Sequence, residues 1–167
     1  MASRPDIDEL LEAVARSEID PKTAAERLAT LPYEDLGFAR VDTHRELRQG
    51  APEVILGQGK RPEQVVAIAR ALDGAGASSV LVTRAEDDVR AAFRDAFPEA
   101  HEDELARAIW FQREAPERRG RVLVVSAGTS DGSVVHEARI RAELLGADVT
   151  VFEDVGVAGL HLSLIHI

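Results

Sequence analysis

The feature that most constrains the fold is the apolar run Val-Leu-Val-Val at residues 122–125, which leads directly into a small polar turn at residues 126–131. Residues 148–153 alternate as a second strand. The apolar positions between them recur at roughly helical spacing: Val134, Val135, Ala138, Leu144 and Leu145. The pattern predicts a strand–turn–helix–strand unit with two parallel strands.

The turn at residues 126–131 lies where a parallel sheet binds its ligands, at the carboxyl end of a strand and the amino end of a helix. Backbone N–H groups there have no partner, and the helix dipole favours an anion. Four side chains would surround this point with hydroxyl and carboxylate groups: Ser126, Thr129, Ser130 and Asp131. Helix capping by Ser130 or Asp131 explains the same residues equally well, and the two roles are compatible.

Composition narrows the class of protein. The formal net charge of −10 argues against non-specific nucleic-acid binding, which needs a basic surface. The absence of cysteine excludes disulfides, thiolate metal sites and a cysteine nucleophile within this sequence. No apolar run is long enough to span a membrane, and the first residues lack the pattern of a signal peptide. We therefore expect a cytoplasmic protein with no nucleic-acid or membrane partner.

The rest of the chain divides by its periodicity. Two short amphipathic helices are predicted within residues 1–36, at 6–15 and 21–28, the second capped by Asp20. Strands and helices then alternate: strands at 38–42, 53–56, 79–83 and 108–111, and helices at 44–49, 62–75 and 85–97. This order predicts a small α/β domain over residues 37–111. The charged segment 112–120, which contains proline and glycine, is interpreted as a linker.

Other residues that could bind a ligand also have ordinary structural explanations. The glycine turn at residues 57–60 lacks the spacing of a P-loop. Three basic residues are candidates for anion binding: Arg45, Arg48 and Lys60. Salt bridges to Glu46 and Glu53 are the more ordinary explanation for them.

The five histidines form no HExxH motif. His101 and His136 are predicted at the surface, whereas His161 is a candidate to face the same cleft as Asp131. Two acidic residues at the carboxyl end of the second strand are candidates for substrate binding or helix capping: Glu153 and Asp154.

Three motifs taken together resemble the LarB family, the pyridinium-3,5-biscarboxylic acid mononucleotide synthases of nickel-pincer cofactor biosynthesis. The motifs are DTHRxxRxGxPEVIxGxGK at residues 42–60, SAGTSD at 126–131 and DVGVAGLH at 154–161. The resemblance implies that a PurE-like domain follows the small α/β domain. That domain is a flavodoxin-like parallel sheet in a three-layer fold, similar to aminoimidazole ribonucleotide (AIR) carboxylase.

The resemblance also implies an activity. LarB-type enzymes carboxylate nicotinic acid adenine dinucleotide at pyridinium carbon 5, using CO2 or bicarbonate, and hydrolyse the phosphoanhydride to release AMP. A divalent metal such as Mg2+ is expected to assist, a family cysteine is expected to add to the ring, and the parent is expected to form a homo-octamer. The implied substrate-binding residues are Ser126, Gly128, Thr129, Ser130, Asp131, Asp154 and His161, and the metal ligands are unknown.

The sequence departs from the family pattern in three ways. Gly128 stands where PurE-type carboxylases usually carry a substrate-binding serine, Leu162 follows His161 where an arginine is usual, and the cysteine is absent. We therefore interpret residues 121–161 as an incomplete PurE-like domain and residues 162–167 as a non-native tail, and we expect this chain to be inactive. Two strands are too few to bury both faces of a parallel sheet, so exposed apolar faces are expected.

Two other functions fit the same sequence. One is an AIR carboxylase/mutase of purine synthesis, although the additional domain and the missing histidine–arginine pair count against it. The other is a non-catalytic nucleotide-binding module, which the absence of cysteine favours for this chain.

Overall fold

The computed structural model describes residues 4–29 and 33–156, and over these ranges the chain has the α/β fold that the sequence predicts. The helices are α1 (Arg4–Ala15), α2 (Pro21–Ala29), α3 (Arg45–Gln49), α4 (Pro62–Gly74), α5 (Asp87–Ala96) and α6 (Gly132–Leu144). The strands are β1 (Glu34–Asp35), β2 (Arg40–Val41), β3 (Val54–Leu56), β4 (Ser79–Thr83), β5 (His101–Asp103), β6 (Ala108–Gln112), β7 (Arg121–Val125) and β8 (Asp148–Phe152). Within the described ranges, no helix has both the length and the hydrophobicity needed to cross a membrane.

A four-stranded sheet with the order β3-β4-β6-β5 forms the centre of the molecule. β3 runs parallel to β4, whereas β6 is antiparallel to both β4 and β5. Every residue of β4 is buried because helices cover both faces of the sheet. α4 and α5 pack on one face, and α6 packs on the other.

The core under α4 and α5 is the larger one. Its centre is a group of three phenylalanine rings from α5, the residue after it and β6: Phe93, Phe97 and Phe111. Neighbouring ring centroids lie 4.7–5.9 Å apart, the range in which aromatic pairs stabilise a core by about 0.5–1.5 kcal/mol beyond their burial.

The core under α6 is smaller. It consists of Ile140 and Leu144 on α6, which pack against Leu81, Ala106 and Ala108, with Trp110 at its margin. The sequence analysis placed Val134 on the apolar face of this helix, but the exposed fraction of Val134 is 62%. Ile140, which is buried, was not among the predicted residues. The buried residues of α6 are Gly132, Val135, Ile140 and Leu144, so the predicted Val135 and Leu144 are confirmed. Ile140 and Leu144 follow the i, i+4 spacing, and residue 134 lies off their face.

The predicted strand–helix–strand unit is confirmed. β7 and β8 pair in parallel through α6, with Val124 opposite Val151. This pair leaves apolar side chains exposed, as the shortage of strands predicts: Val122, Leu123, Val125 and Phe152.

Two strands differ from the sequence prediction. The predicted strand 38–42 is present only as β2, and it pairs with β1 in a separate antiparallel hairpin rather than joining the central sheet. β5 was not predicted because its residues are polar and show no apolar alternation. Pairing with β6 and ion pairs from Arg90 and Arg94 to Glu102 hold β5 in place instead.

Local helix signals were reliable. The carboxylate of Asp20 accepts hydrogen bonds from the N–H groups of Lys22 and Thr23, both at 3.0 Å, so the predicted cap of α2 is confirmed. α3 ends at Gly50, which adopts the left-handed conformation with φ 67°.

Candidate functional site

The candidate site begins where β7 ends. Ser126 donates its N–H to the Phe152 carbonyl and accepts from the Val155 N–H, both at 3.0 Å, so the chain after β8 holds it on both sides. Its exposed fraction is only 7%, and its Oγ has no hydrogen-bond partner among the described residues. Buried hydroxyl groups are normally hydrogen-bonded, and at the carboxyl end of a parallel strand this Oγ is available to a ligand or an ordered water.

A single 3₁₀ turn, Thr129–Asp131, connects this residue to α6. Asp131 donates its N–H to the Gly128 carbonyl at 3.0 Å, and its carboxylate accepts the Gly128 N–H at 3.3 Å. The capping explanation therefore holds for Asp131 within the turn. α6 itself begins with no hydrogen bond from a side-chain cap, directly after this 3₁₀ turn.

The segment after β8 closes over the loop from the other side. Asp154 is exposed in a left-handed conformation with φ 57°, two residues before Gly156. A Cβ on Gly156 would lie 2.6 Å from the Ala127 carbonyl oxygen, so only glycine permits this approach. The structure thus brings the loop 126–131 and Asp154 to one edge, while His161 lies outside the described residues.

Glu153 has a structural role at the same edge. A Cβ on Gly132, the first residue of α6, would lie 3.7 Å from Glu153 Oε1. This places a carboxylate at the positive end of the helix dipole, where negative charge is stabilising.

The end of β5 and the turn between β5 and β6 connect the four-stranded sheet to α6. Asp103 accepts hydrogen bonds from the Ala106 N–H at 2.9 Å, from His136 Nδ1 at 2.8 Å and from Arg139 at 3.1 Å. Burial acts to raise the pKa of Asp103, but these hydrogen bonds and the nearby positive charge bring it below its ordinary value. His136, which was predicted at the surface, is half-buried and bonded to Asp103 of another element.

Leu105, in the same turn, is the large apolar side chain that approaches the start of α6. Its Cδ2 atom would lie 3.5 Å from a Cβ on Gly132, and its exposed fraction is 54%. An ion pair between Arg84, which follows β4, and Glu137 of α6 has a distance of 3.8 Å. Because the pair is largely exposed, it contributes little to the stability of the fold.

Arg45 and Lys60 of the first motif do not join this site. Arg45 pairs with Glu53 at 3.3 Å, so the salt-bridge explanation is confirmed for that pair. Glu46 instead accepts hydrogen bonds from the N–H and hydroxyl groups of Ser78. Lys60 donates to the Leu56 carbonyl at 2.8 Å, and the side chain of Arg48 is outside the described part of the chain.

Motif residues also protect the free edge of β3. The Glu53 carboxylate accepts the Val54 N–H at 3.3 Å, and Lys60 covers the Leu56 carbonyl from the other end. Charged side chains at such an edge prevent pairing with another chain. A cleft of about 290 Å³ lies between this edge and β2, and its polar lining includes Asp42, Glu53 and Lys60.

Sequence reasoning missed the contact between the first motif and α6. Arg141 donates to the Pro52 carbonyl at 2.9 Å, and burial together with the nearby Arg45 charge lowers the pKa of Arg141. His44 of the motif is buried, and neither ring nitrogen has a partner in the described structure. No local signal identifies these features, because Pro52 and Arg141 are far apart in sequence.

The described residues show no ready-made metal site. They contain no cluster of three or more His, Asp or Glu side chains that could hold an ion. Asp131 and Asp154 lie at the same edge, but one carboxylate of the pair is already bonded within its own turn.

Comparison with known proteins gives two matches. The sequence profile of the LarB/PurE-like N-terminal domain family matches residues 33–114. The chain is also 25% identical, over 161 residues, to "Uncharacterized protein MJ0165" of Methanocaldococcus jannaschii. That alignment covers 92% of this chain and 62% of the archaeal protein, so the chain spans less than two thirds of this curated relative. Residues 33–114, which contain the central sheet and the first motif, are therefore similar to the LarB/PurE-like N-terminal domain.

Proposed function

We propose that this chain carries the nucleotide-binding loop of a LarB-type enzyme, which carboxylates nicotinic acid adenine dinucleotide at pyridinium carbon 5 and hydrolyses it to the mononucleotide and AMP. The observation that carries the proposal is the buried, unpartnered Oγ of Ser126 at the carboxyl end of a parallel strand, beside a helix without a side-chain cap. The domain match at residues 33–114 and the second and third motifs support the same family.

In this proposal, the residues of the chain bind and orient the substrate. The loop at residues 126–131 receives the nucleotide, since ligands of parallel sheets bind at the carboxyl ends of the strands. The Ser126 hydroxyl supplies a hydrogen bond to the bound nucleotide, and Asp131 fixes the loop through the Gly128 N–H. Asp154, Thr129 and Ser130 are exposed at the same edge.

Carboxylation itself is assigned to residues outside this sequence. A cationic pyridinium ring is a poor carbon nucleophile until a thiolate adds to it, and these 167 residues contain no cysteine. We therefore expect the chain to bind the dinucleotide without carboxylating it. Mg2+ is part of the family expectation, and the described residues contain no cluster of three or more ligands for it.

Isothermal titration calorimetry with nicotinic acid adenine dinucleotide tests the proposal. Ser126→Ala removes one hydrogen bond to the ligand and should weaken binding about five- to tenfold. Ser79→Ala is the matched control, because Ser79 is also a buried serine with an unpartnered Oγ but lies in β4, within the central sheet. Its binding should equal that of the wild type.

Three results would contradict the proposal. They are a wild-type chain that does not bind the dinucleotide, equal affinity for Ser126→Ala and wild type, and tighter binding of aminoimidazole ribonucleotide, which would favour the purine enzyme. Conversion of the dinucleotide by this chain, detected by mass spectrometry with labelled bicarbonate, would reject the assignment of carboxylation to an absent cysteine.

A second candidate, a non-catalytic nucleotide-binding module, is favoured by the complete absence of cysteine. It predicts the same binding by this chain. The two differ in the whole parent protein, where labelled bicarbonate is incorporated into the pyridinium ring only if the parent is the enzyme.

A further inference from the structure

We infer that the cleft beside the free edge of β3 is a second ligand site, which binds a small carboxylic acid with an apolar body. The cleft has a volume of about 290 Å³ and lies between β2 and β3, and none of its lining residues belongs to the loop at residues 126–131. Most of the lining comes from the first motif, to which the proposed function assigns no role: Asp42, Glu53, Val54, Ile55, Leu56 and Lys60. This second site is independent of the proposed function.

The buried part of the cleft lining is apolar. Val41, Ile55 and Ile68 line the cleft, and all three are buried members of the core under α4 and α5. Leu56 adds an apolar side chain that is 46% exposed. A bare inorganic ion gains nothing from such a surface, whereas a compact hydrocarbon body is favoured there because it leaves water. The ligand should therefore carry an apolar body small enough for about 290 Å³.

The two carboxylates of the lining are already engaged within the chain. Glu53 accepts the Val54 N–H and pairs with Arg45, both at 3.3 Å. Asp42 accepts the His44 N–H at 3.2 Å. Because these acceptors are already in use, the two carboxylates do not make the cleft a cation site.

The two cations of the lining keep donors for a ligand. Lys60 donates to the Leu56 carbonyl at 2.8 Å, and no ion pair joins it to a carboxylate in the described part of the chain. An ammonium group has three donors, so two remain. Arg40 has only an exposed ion pair with Asp35 at 3.8 Å, which contributes little. A ligand carboxylate at Lys60 would accept a charge-assisted hydrogen bond, which is stronger than a bond between neutral groups.

The glycine turn after β3 fixes the position of Lys60. The Lys60 N–H donates to the Gly57 carbonyl at 3.0 Å, and Gly59 between them has φ 76°, which a type II turn requires at its third residue. The Gly57 N–H bonds to the Thr83 carbonyl of β4 at 2.7 Å. Because successive residues of a strand direct their N–H groups to opposite sides, the Leu56 N–H faces the free edge. One carboxylate would therefore find the Lys60 ammonium and the Leu56 N–H on the same side of β3.

NMR titration with benzoate tests this site, because benzoate joins a carboxylate to a compact apolar ring. Protein labelled with 13C-lysine gives an internal comparison, since Lys22 and Lys60 are the only lysines of the sequence. Benzoate should shift the side-chain signal of Lys60 and the amide signal of Leu56 with one Kd of about 1–10 mM, and it should leave Lys22 unchanged. Acetate lacks the apolar body and benzyl alcohol lacks the charge, so each should bind at least about fivefold more weakly.

Substitutions at the two lysines separate the site from a general effect of the anion. Lys60→Gln should weaken benzoate at least about fivefold, measured at the Leu56 amide, because it removes the charge. Lys60→Arg, which keeps the charge, should largely restore the affinity. Lys22→Gln is the matched control, since Lys22 lies in α2 and does not line the cleft, and its affinity should equal that of the wild type.

Four results would overturn the second site. They are no shift at Lys60 and Leu56 up to about 50 mM benzoate, equal shifts at Lys22 and Lys60, unchanged affinity in Lys60→Gln, and acetate that binds as tightly as benzoate. The last result would leave a bare anion contact and reject the apolar body of the ligand. None of these results bears on the nucleotide proposed for the loop at residues 126–131, because no residue of that loop lines the cleft.

Discussion

Replacing Ile140 with alanine is the sharpest test of how the two parts of the molecule are joined. Ile140 is 1% exposed, and it lies in the core that joins α6 to the four-stranded sheet. Neighbouring side chains from β4 and β6 surround it, so its truncation leaves a cavity that the rigid sheet cannot fill. Such changes cost about 2–5 kcal/mol, and we expect about 3 kcal/mol for Ile140→Ala.

The natural probe for this change is Trp110, which is the only tryptophan of the chain and lies at the margin of the same core. Urea unfolding followed by its fluorescence should show a lower midpoint in the variant. A loss of about 3 kcal/mol and a denaturant slope of about 1.5 kcal/mol per M correspond to a decrease of about 2 M. Circular dichroism should report the same midpoint if α6 and the sheet unfold together.

Val134→Ala provides the matched control on the same helix. Val134 is exposed, so its truncation should change the free energy of unfolding by no more than about 0.5 kcal/mol. The reasoning is refuted if Ile140→Ala and Val134→Ala unfold at the same urea concentration. That result would mean that α6 does not pack against the sheet in solution.

Two further predictions concern Asp103 at the end of β5 and Gly57 in the glycine turn at residues 57–60. Because the pKa of Asp103 is lower in the folded state, its contribution to stability is present above the unfolded pKa of about 3.9 and is lost as pH falls through the folded value. The difference in urea midpoint between wild type and Asp103→Asn should therefore shrink as pH falls below about 4; a difference that stays the same from about pH 4 to pH 2 would contradict this. Gly57→Ala should destabilise the fold by about 1–3 kcal/mol, since its Cβ would lie 3.0 Å from the Thr83 carbonyl and from Ala85 Cα. Gly74→Ala, where a Cβ meets nothing within 4 Å, should not destabilise it, and equal thermal midpoints for the two variants would refute the packing argument.

Local chemistry explains why part of the fold could be predicted from sequence. The strand β4, the end of α3 at Gly50 and the unit β7–α6–β8 each follow from signals within a few residues: an apolar run, a left-handed glycine or a switch of periodicity. The turn at residues 126–131 was identified in the same way, because strand end, small residues and helix start are adjacent in the chain.

The remainder depends on contacts between distant residues. β5 is polar, and it is a strand because β6 offers a pairing edge and Arg90 offers a charge for Glu102. Likewise, the periodicity of α6 did not reveal which side faces the sheet, since the helix contacts its own strand pair as well as β4. The choice between salt bridge and anion site for Arg45 needed the position of Glu53 in space.

The position of α6 connects the family match to the proposed site. This helix closes the parallel pair β7–β8 and also covers one face of the central sheet, so the loop at its amino end has no position independent of the N-terminal domain. Asp103 holds the amino-terminal half of the helix through His136 and Arg139, and the first motif holds its other half through Arg141 and the Pro52 carbonyl. A ligand that binds only the folded loop at a hundred times its dissociation constant would stabilise that fold by about 2.7 kcal/mol. Because α6 packs on both sheets, ligand binding at the loop would also stabilise the N-terminal domain. The stability of that domain and the affinity of the proposed site are therefore coupled.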